Sequence, residues 1–297
     1  MNTYLDYYDN SNPPAARTPA NASSFVPTYY ARNSNLHFIS GLAAPFFPTA
    51  SSPNLHPGHA VFFQAPLGFT LTSATFGGLP NMLNACGYYV EYNTDKDYLP
   101  PFLAGTTAVQ QRYRYRLMEF LQPTESNTIY SSASTGTTFS DYSQWFMKFL
   151  PPQVDVKDAP VRMLAENIVA LAILPELSPR DTTTKLISDS KYTYDTRAGS
   201  IRTGNAPNVM HNQLPPLLRV VMVAIDEPSA QRLSASGSTP PTMISGLTTF
   251  QSTTNADPNV DLTASLKALT DKLDQNKINY RVFDTDIAIR GAKWSTQ

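Results

Sequence analysis

The fold is decided by two apolar segments, Leu164-Ala-Glu-Asn-Ile-Val-Ala-Leu-Ala-Ile-Leu174 and Leu214-Pro-Pro-Leu-Leu-Arg-Val-Val-Met-Val-Ala-Ile-Asp226. Their apolar cores, residues 168–174 and 219–225, are too short to cross a bilayer, which takes roughly 20 apolar residues. They are apolar enough, however, to be strands that are buried on both faces. The prolines after Leu214 mark the start of the second strand, because proline cannot donate to a strand ladder. We therefore predict two buried strands that lie side by side in one sheet.

The composition indicates a protein rich in strands and loops. The chain has 297 residues, of which 15% are charged, against roughly 25% in an average soluble domain. Proline (25 residues) outnumbers glycine (13 residues), which favours loops. The net charge of −1 gives no long-range field that would attract nucleic acid or an anionic membrane. We therefore predict no nucleic-acid partner and no membrane contact by these residues.

The order of the segments predicts the α+β class with an antiparallel sheet, because strand patterns are many, helices are few and the two do not alternate regularly. Residues 1–35 are rich in Asn, Pro, Ala, Ser and Tyr and are predicted to form an extended or disordered arm. Residues 36–297 are predicted to form a single α+β domain. Within it, residues 175–213 form a long loop and residues 234–258 a linker.

Helices are predicted at two places. Residues 261–276 carry Leu262, Leu266, Leu269 and Leu273 at spacings that form one apolar stripe, with a cap at Asp257 or Asn259, and a strand over 278–283 follows. Residues 160–167 are predicted to begin with a helical turn, capped by Asp158, before the buried strand starts.

The densest basic cluster is Arg112-Tyr-Arg-Tyr-Arg116. Strand alternation places its three arginines on one face and its tyrosines on the other. The favoured interpretation is a solvated face that pairs with carboxylates. Basic and aromatic side chains in alternation are also typical of a surface that binds single-stranded nucleic acid, but no second basic patch supports that alternative.

The sequence carries no complete set of catalytic or metal-binding residues, and we predict a protein that is not an enzyme and has no cofactor. His56 and His59 resemble a metal-binding pair, but zinc needs three or four ligands, so they are interpreted as loop histidines. The pairs Asp95/Asp97 and Asp284/Asp286 would bind calcium only if a loop supplied further oxygens, and this question stays open. The single cysteine, Cys86, is predicted to be a small buried hydrophobe.

Several segments, in this order, resemble the Verru_Chthon cassette protein C family, prepilin-like proteins encoded in Verrucomicrobia and their relatives. More distantly, the order of the two apolar segments is similar to J-type minor pseudopilins and W-type minor pilins. The segments are Leu36-His-Phe-Ile-Ser-Gly41, Gly87-Tyr-Tyr-Val-Glu-Tyr92, Tyr113-Arg-Tyr-Arg-Leu-Met-Glu-Phe-Leu-Gln-Pro123, Leu164-Ala-Glu-Asn-Ile-Val169, Tyr192-Thr-Tyr-Asp195, 214–226, Asn279-Tyr-Arg-Val-Phe283 and Arg290-Gly-Ala-Lys-Trp294.

The resemblance implies a globular head that belongs to a type IV pilus or a type II secretion-like assembly at the cell envelope or cell surface. It implies other pilin-like or pseudopilin subunits as partners, and an N-terminal apolar helix that a prepilin peptidase processes. Residues 1–10 show no such helix and no signal peptide, so we expect the anchoring helix to be missing from this sequence. Gly68-Phe-Thr-Leu71 resembles the prepilin cleavage motif, but no apolar helix follows it.

The candidate interaction surface consists of two tyrosines and an arginine in the long loop, together with the basic strand: Tyr192, Tyr194, Arg197, Arg112, Arg114 and Arg116. The alternative function is a surface carbohydrate- or ligand-binding module that uses exposed tyrosines, including Tyr29 and Tyr30. A metal-assisted hydrolase with His56 and His59 and a capsid-type structural protein are further hypotheses.

Overall fold

The computed structural model describes residues 4–11, 14–47, 54–104, 111–131, 134, 136, 138–177, 192–198, 202–203, 206–207, 210–234, 237–245, 250 and 258–292. The strands are β1 (Tyr4–Tyr8), β2 (Tyr29–Asn33), β3 (Ile39–Leu42), β4 (His59–Pro66), β5 (Leu83–Thr94), β6 (Tyr113–Gln122), β7 (Val161–Glu166), β8 (Ile168–Glu176), β9 (Tyr194–Asp195), β10 (Arg202–Thr203), β11 (Ala206–Pro207), β12 (Leu217–Ile225) and β13 (Tyr280–Ala288). The helices are α1 (Ser73–Phe76), α2 (Pro101–Ala104), α3 (Phe139–Tyr142), α4 (Gln144–Met147), α5 (Glu227–Ser234), α6 (Thr242–Ser245) and α7 (Pro258–Gln275). None of these helices has both the length and the apolar character that a membrane span requires.

Two antiparallel sheets organise the molecule. The large sheet has six strands in the order β7-β6-β5-β4-β3-β9, and the small sheet has three in the order β13-β12-β8. Strands β1 and β2 form a separate pair, as do β10 and β11. The predicted α+β class with antiparallel sheets is confirmed at this level.

The two apolar segments pair as predicted. Strand β8 runs antiparallel to β12 from the pair Glu176–Leu217 to the pair Ile168–Ala224. Strand β13 pairs with the other side of β12 along its whole length. Val221, Val223 and Ile225 of β12 are buried, whereas the residues on its other face are only partly buried, so the predicted burial of β12 on both faces is met in part.

The described elements stack in four layers. Helix α4 places Trp145 and Phe146 against one face of the large sheet, where they share a core with Phe62 and Phe120, and Phe139 of α3 packs against the same core. The small sheet covers part of the other face, and helix α7 covers the far face of the small sheet. The predicted leucine stripe of this helix is confirmed, since Leu262, Leu269 and Leu273 are buried and Leu266 is partly buried in the core between helix and sheet.

The predicted helical turn over residues 160–167 is wrong, because this segment is strand β7. Val161–Glu166 pairs with β6 at the edge of the large sheet, and this long-range pairing overrides the local preference for a helix. Asn167 then adopts a left-handed conformation with φ of 64°, which asparagine tolerates better than most residues. The bend passes the chain directly from the large sheet into strand β8 of the small sheet.

The other predicted boundaries are met in part. The arm over residues 1–35 contains the paired strands β1 and β2, so its described part is extended and ordered into a ladder, which the sequence analysis did not predict. The long loop over 175–213 contains β9, which pairs with β3, and the linker over 234–258 contains helix α6. Helix α7 begins at Pro258, so Asn259 lies inside it, and Asp257 lies outside the described residues. The strand predicted over 278–283 extends to Ala288.

The outer edge of strand β8 is closed by the chain at Gly58 and His59. Gly58 has φ of 81°, and a Cβ atom there would lie 2.1 Å from the carbonyl oxygen of Leu171, so only glycine allows this close approach. The Nδ1 atom of His59 accepts the backbone N–H of Ile173 at 2.9 Å, and its Nε2 donates to the carbonyl of Phe250 at 3.0 Å. The middle of the β8 edge, at Leu171 and Ile173, is therefore covered from inside the molecule.

Candidate functional site

An open apolar cleft of about 550 Å³ lies between the two sheets. Its volume lies within the range of sites that hold small molecules or inserted side chains. Almost all of the lining is apolar; the exceptions are Thr285 and the hydroxyl of Tyr88, which donates to Glu119 at 3.0 Å. The large-sheet side supplies Phe38, Val61, Phe63, Tyr88, Leu117 and Leu164, and the small-sheet side supplies Leu171, Ile173, Leu214, Leu218, Val220, Met222, Phe283, Thr285, Ile287 and Ile289.

The cleft is closed on the side of β8 and open on the side of β13. Strand β8 packs across β4, β5 and β6 of the large sheet. On the same face of the small sheet, Phe283 and Ile287 of β13 are 41% and 47% exposed. The apolar face of the small sheet is thus covered near β8 and open to solvent near β13.

Two of the three arginines in the basic cluster lie inside the fold. Arg116 and Arg114 are buried, and each pairs with a carboxylate: Arg116 Nη2 lies 3.1 Å from Glu166, and Arg114 Nη2 lies 2.7 Å from Glu227. Arg112 is half-exposed and pairs with Asp95 at 3.1 Å. The predicted carboxylate pairing is therefore confirmed, whereas the predicted solvated face is wrong for Arg114 and Arg116.

The loop residues of the candidate surface do not form an exposed patch. Tyr192 and Tyr194 are 1% and 0% exposed, and the Tyr194 hydroxyl donates to the carbonyl of Gln213 at 2.7 Å. Burial raises the pKa of Tyr192 to about 12. Arg197 is partly buried and donates to the carbonyls of Ser134 and Asn35. The interpretation of the two tyrosines as contact residues is wrong, because a partner cannot reach them in this fold.

A buried polar cluster joins distant parts of the chain. Trp145 Nε1 donates to His37 Nδ1 at 2.9 Å, and His37 Nε2 lies 2.8 Å from Asp195 Oδ1. The second oxygen of Asp195 accepts the Tyr142 hydroxyl at 2.9 Å. Because Trp145 is a donor, Nδ1 is the acceptor and the proton of neutral His37 sits on Nε2. The cluster is buried, and its contacts link helices α3 and α4 to strand β9 of the long loop.

The remaining chemical candidates also have structural surroundings. His59 is buried in strand β4, not in a loop, and His56 is buried and stacked on Phe47 at 3.7 Å. Cys86 is buried as predicted, and burial raises the pKa of its thiol to about 12. Among the described residues, no three His, Cys, Asp or Glu side chains are placed to share a metal ion.

The carboxylate pairs have different surroundings. Asp95 and Asp284 are each held by an arginine, Arg112 and Arg219. Asp286 lies with Asp284 on an open polar surface beside Glu176 and Asn259.

Comparison with known proteins adds no assignment: no protein-family model, no curated protein and no solved structure matches the chain. The apolar cleft is therefore the feature from which a function has to be argued. The strands that form its floor are predictable from the sequence, but the cleft itself is not, because the angle between two sheets leaves no local signal in the sequence.

Proposed function

We propose that the chain is a non-enzymatic structural subunit, the globular head of a minor pilin-like or pseudopilin-like protein that assembles with other such subunits in a type IV pilus or a type II secretion-like assembly. The proposal places it in the cell envelope or at the cell surface. The observation that carries the proposal is the open apolar cleft, because a large apolar surface exposed to water marks a site that a partner covers.

The cleft favours a helix as its occupant. Strand β12, which forms the middle of the floor, already has hydrogen-bonded neighbours on both sides, so this part of the floor offers side chains and no free backbone groups. A segment that enters an apolar cleft must satisfy its own backbone N–H and C=O groups, and a helix does so within itself. An apolar helix of the prepilin type meets this requirement, and it would bury Met222, Phe283 and Ile287.

A cross-linking experiment tests this proposal. A synthetic apolar helical peptide of roughly 20 residues, with a benzophenone at its centre, is added in detergent micelles and photolysed. Benzophenone reacts readily with methionine, and the chain offers Met222 in the cleft and Met163, which is 39% exposed, outside it. We expect cross-links mainly at Met222, although Met163 is the more exposed of the two methionines.

A charge in the cleft provides the control. Val220→Lys should lower the cross-linking at Met222 by about tenfold, equivalent to 1.4 kcal/mol of binding, because the ammonium group would be desolvated by the helix. Leu79→Lys changes an exposed leucine outside the cleft lining and should have no effect. Stronger cross-linking at the more exposed Met163 than at Met222, or cross-linking at Met222 that Val220→Lys does not change, would contradict the proposal.

The alternative, a surface carbohydrate- or ligand-binding module, rests on Tyr30, one of the tyrosines predicted for it, together with Tyr7. Tyr7 and Tyr30, on paired strands β1 and β2, lie with ring centroids 4.4 Å apart, and Tyr30 is 60% exposed. Paired aromatic rings of this kind present an apolar body with polar tips to a ligand. Binding on a glycan array that Tyr30→Ala abolishes would favour this alternative, and an array without binding would count against it.

A further inference from the structure

The two edge strands of the small sheet, β8 and β13, differ in what covers their outer backbone groups. The β8 edge is closed by His59, which accepts the N–H of Ile173. No described strand pairs with the outer edge of β13, which is nine residues long. A long strand edge with free backbone groups is a template for another strand unless charges, prolines or bulges block it, and Tyr280–Ala288 contains no proline and no bulge against β12.

The hydrogen bonds that flank β13 show which of its backbone groups face β12 and which point away from it. Asp226 donates to the carbonyl of Asn279, and Ile289 donates to the carbonyl of Pro216. Odd-numbered residues of β13 therefore face β12, since backbone direction alternates along a strand. The N–H and C=O groups of the even-numbered residues from 280 to 288 point outward, away from the sheet.

We propose that the outer edge of β13 pairs with β13 of a second copy of this chain, antiparallel and about a twofold axis at Phe283. The pairing would join two small sheets into one of six strands and extend the open apolar face across both copies. The inference goes beyond the proposed function, and it holds whichever occupant fills the cleft.

Charge selects this register among the symmetric ones. A twofold axis at Asp284 would place that carboxylate opposite its own copy, and an axis at Thr285 would place Asp284 opposite Asp286. With the axis at Phe283, the two phenylalanine rings meet, and Arg281 lies opposite Thr285 of the second copy. Asp284 then approaches its copy only diagonally, and Arg219 already neutralises it through contacts of 3.1 and 2.7 Å. An axis at Val282 would also avoid opposed acids, but it pairs fewer residues.

The cross-strand neighbours fit the proposed axis. The backbone N–H and C=O groups of odd-numbered residues point toward β12 and not toward the outer edge. Phe283 and its copy therefore form a non-hydrogen-bonded pair, in which side chains come closest. Phe283 is exposed in the single chain, and the Arg281 guanidinium lies over its ring at 5.1 Å. Pairing would remove both rings from water and place each arginine next to the second copy's threonine hydroxyl.

Charge changes at Thr285 test the register. Thr285 is exposed. Within one chain it lies four residues from Arg281 along the same strand, so the two side chains are not neighbours. Across the proposed axis, Thr285→Glu would create two ion pairs with Arg281 and should tighten the dimer Kd by about 2- to 30-fold. Thr285→Lys should weaken it by a similar factor, and the double variant Arg281→Glu with Thr285→Lys should restore it.

The Kd is measured by sedimentation equilibrium of the full chain without peptide or detergent, and urea unfolding checks that each variant is folded. A wild-type chain and a Thr285→Glu variant that both stay monomeric up to millimolar concentration would overturn the proposal. So would equal effects of Thr285→Glu and Thr285→Lys, or a double variant that stays as weak as Thr285→Lys. Because no helix peptide is present, the result is separate from the cross-linking test of the cleft.

Discussion

Lowering the pH from 7 to 5 is expected to destabilise the protein by several kcal/mol, because its buried histidines have to stay neutral. Burial lowers the pKa of His56 to about 3. Burial also lowers the pKa of His37, against the opposing effect of Asp195, and the pKa of His59, against two backbone carbonyls. In the unfolded chain all three return to their ordinary pKa of 6.5.

The sign follows from proton uptake. Below pH 6.5 the unfolded chain binds protons that the folded chain does not, so the free energy of unfolding falls as the pH falls. The stability is fully present above this pH and is lost progressively down to the lowered pKa of each folded histidine. At pH 5, each histidine that stays neutral costs about 2 kcal/mol, which is large against a total stability of about 5–15 kcal/mol.

The measurement is urea unfolding at pH 7, 6 and 5. His59→Gln is the diagnostic variant, since glutamine also accepts and donates but does not titrate in this range. Whatever its stability at pH 7, its loss between pH 7 and 5 should be smaller than that of the wild-type chain by up to about 2 kcal/mol. A wild-type free energy of unfolding that is constant from pH 7 to 5 would contradict the burial of these rings.

The second large effect is expected at Arg116. Replacement by methionine should destabilise the fold by about 3–5 kcal/mol, as is typical when one partner of a buried ion pair is removed. The Arg116 guanidinium donates to the backbone and side-chain oxygens of Asn93 at 2.6 and 2.8 Å and to Glu166 at 3.1 Å. Methionine fills much of the space but leaves these acceptors without a donor.

Arg112→Met is the matched control, at the residue that directly precedes strand β6. The Arg112 side chain is 51% exposed and pairs with one carboxylate, Asp95, so its loss should cost under about 1 kcal/mol. Midpoints and slopes of urea unfolding distinguish the two variants. Equal losses for both would mean that Arg116 is not the buried centre of this network.

The elements that could be predicted from the sequence are those that a local pattern of apolar residues specifies. The apolar runs of β8 and β12 and the leucine stripe of α7 carry their own signal, and these elements are where they were predicted. Strand β7 was missed because it is held by long-range pairing with β6, in which Val161 pairs with Phe120 and Glu166 pairs with Arg116. A short stretch of sequence contains no sign of such pairing. The paired strands of the N-terminal arm were missed for the same reason.

The burial of a side chain was less predictable than the face of the strand on which it lies. Alternation placed Arg112, Arg114 and Arg116 on one side of a strand, but the layer that covers the last two comes from other parts of the chain. The cluster of His37 joins residues that are 108 and 158 positions apart in the sequence. Tyr192 and Tyr194 were read as exposed because they lie in a long loop, and strand β9 takes them into the core instead.

The left-handed residue between strands β7 and β8 sets a constraint on insertions and deletions. Asn167 is the single residue between strands β7 and β8, so this connection cannot absorb a change in length. One added residue would turn every side chain of β8 to the opposite face, and Leu171 and Ile173 would leave the cleft. The length of this corner should therefore be far less variable than the identity of the residues that form it.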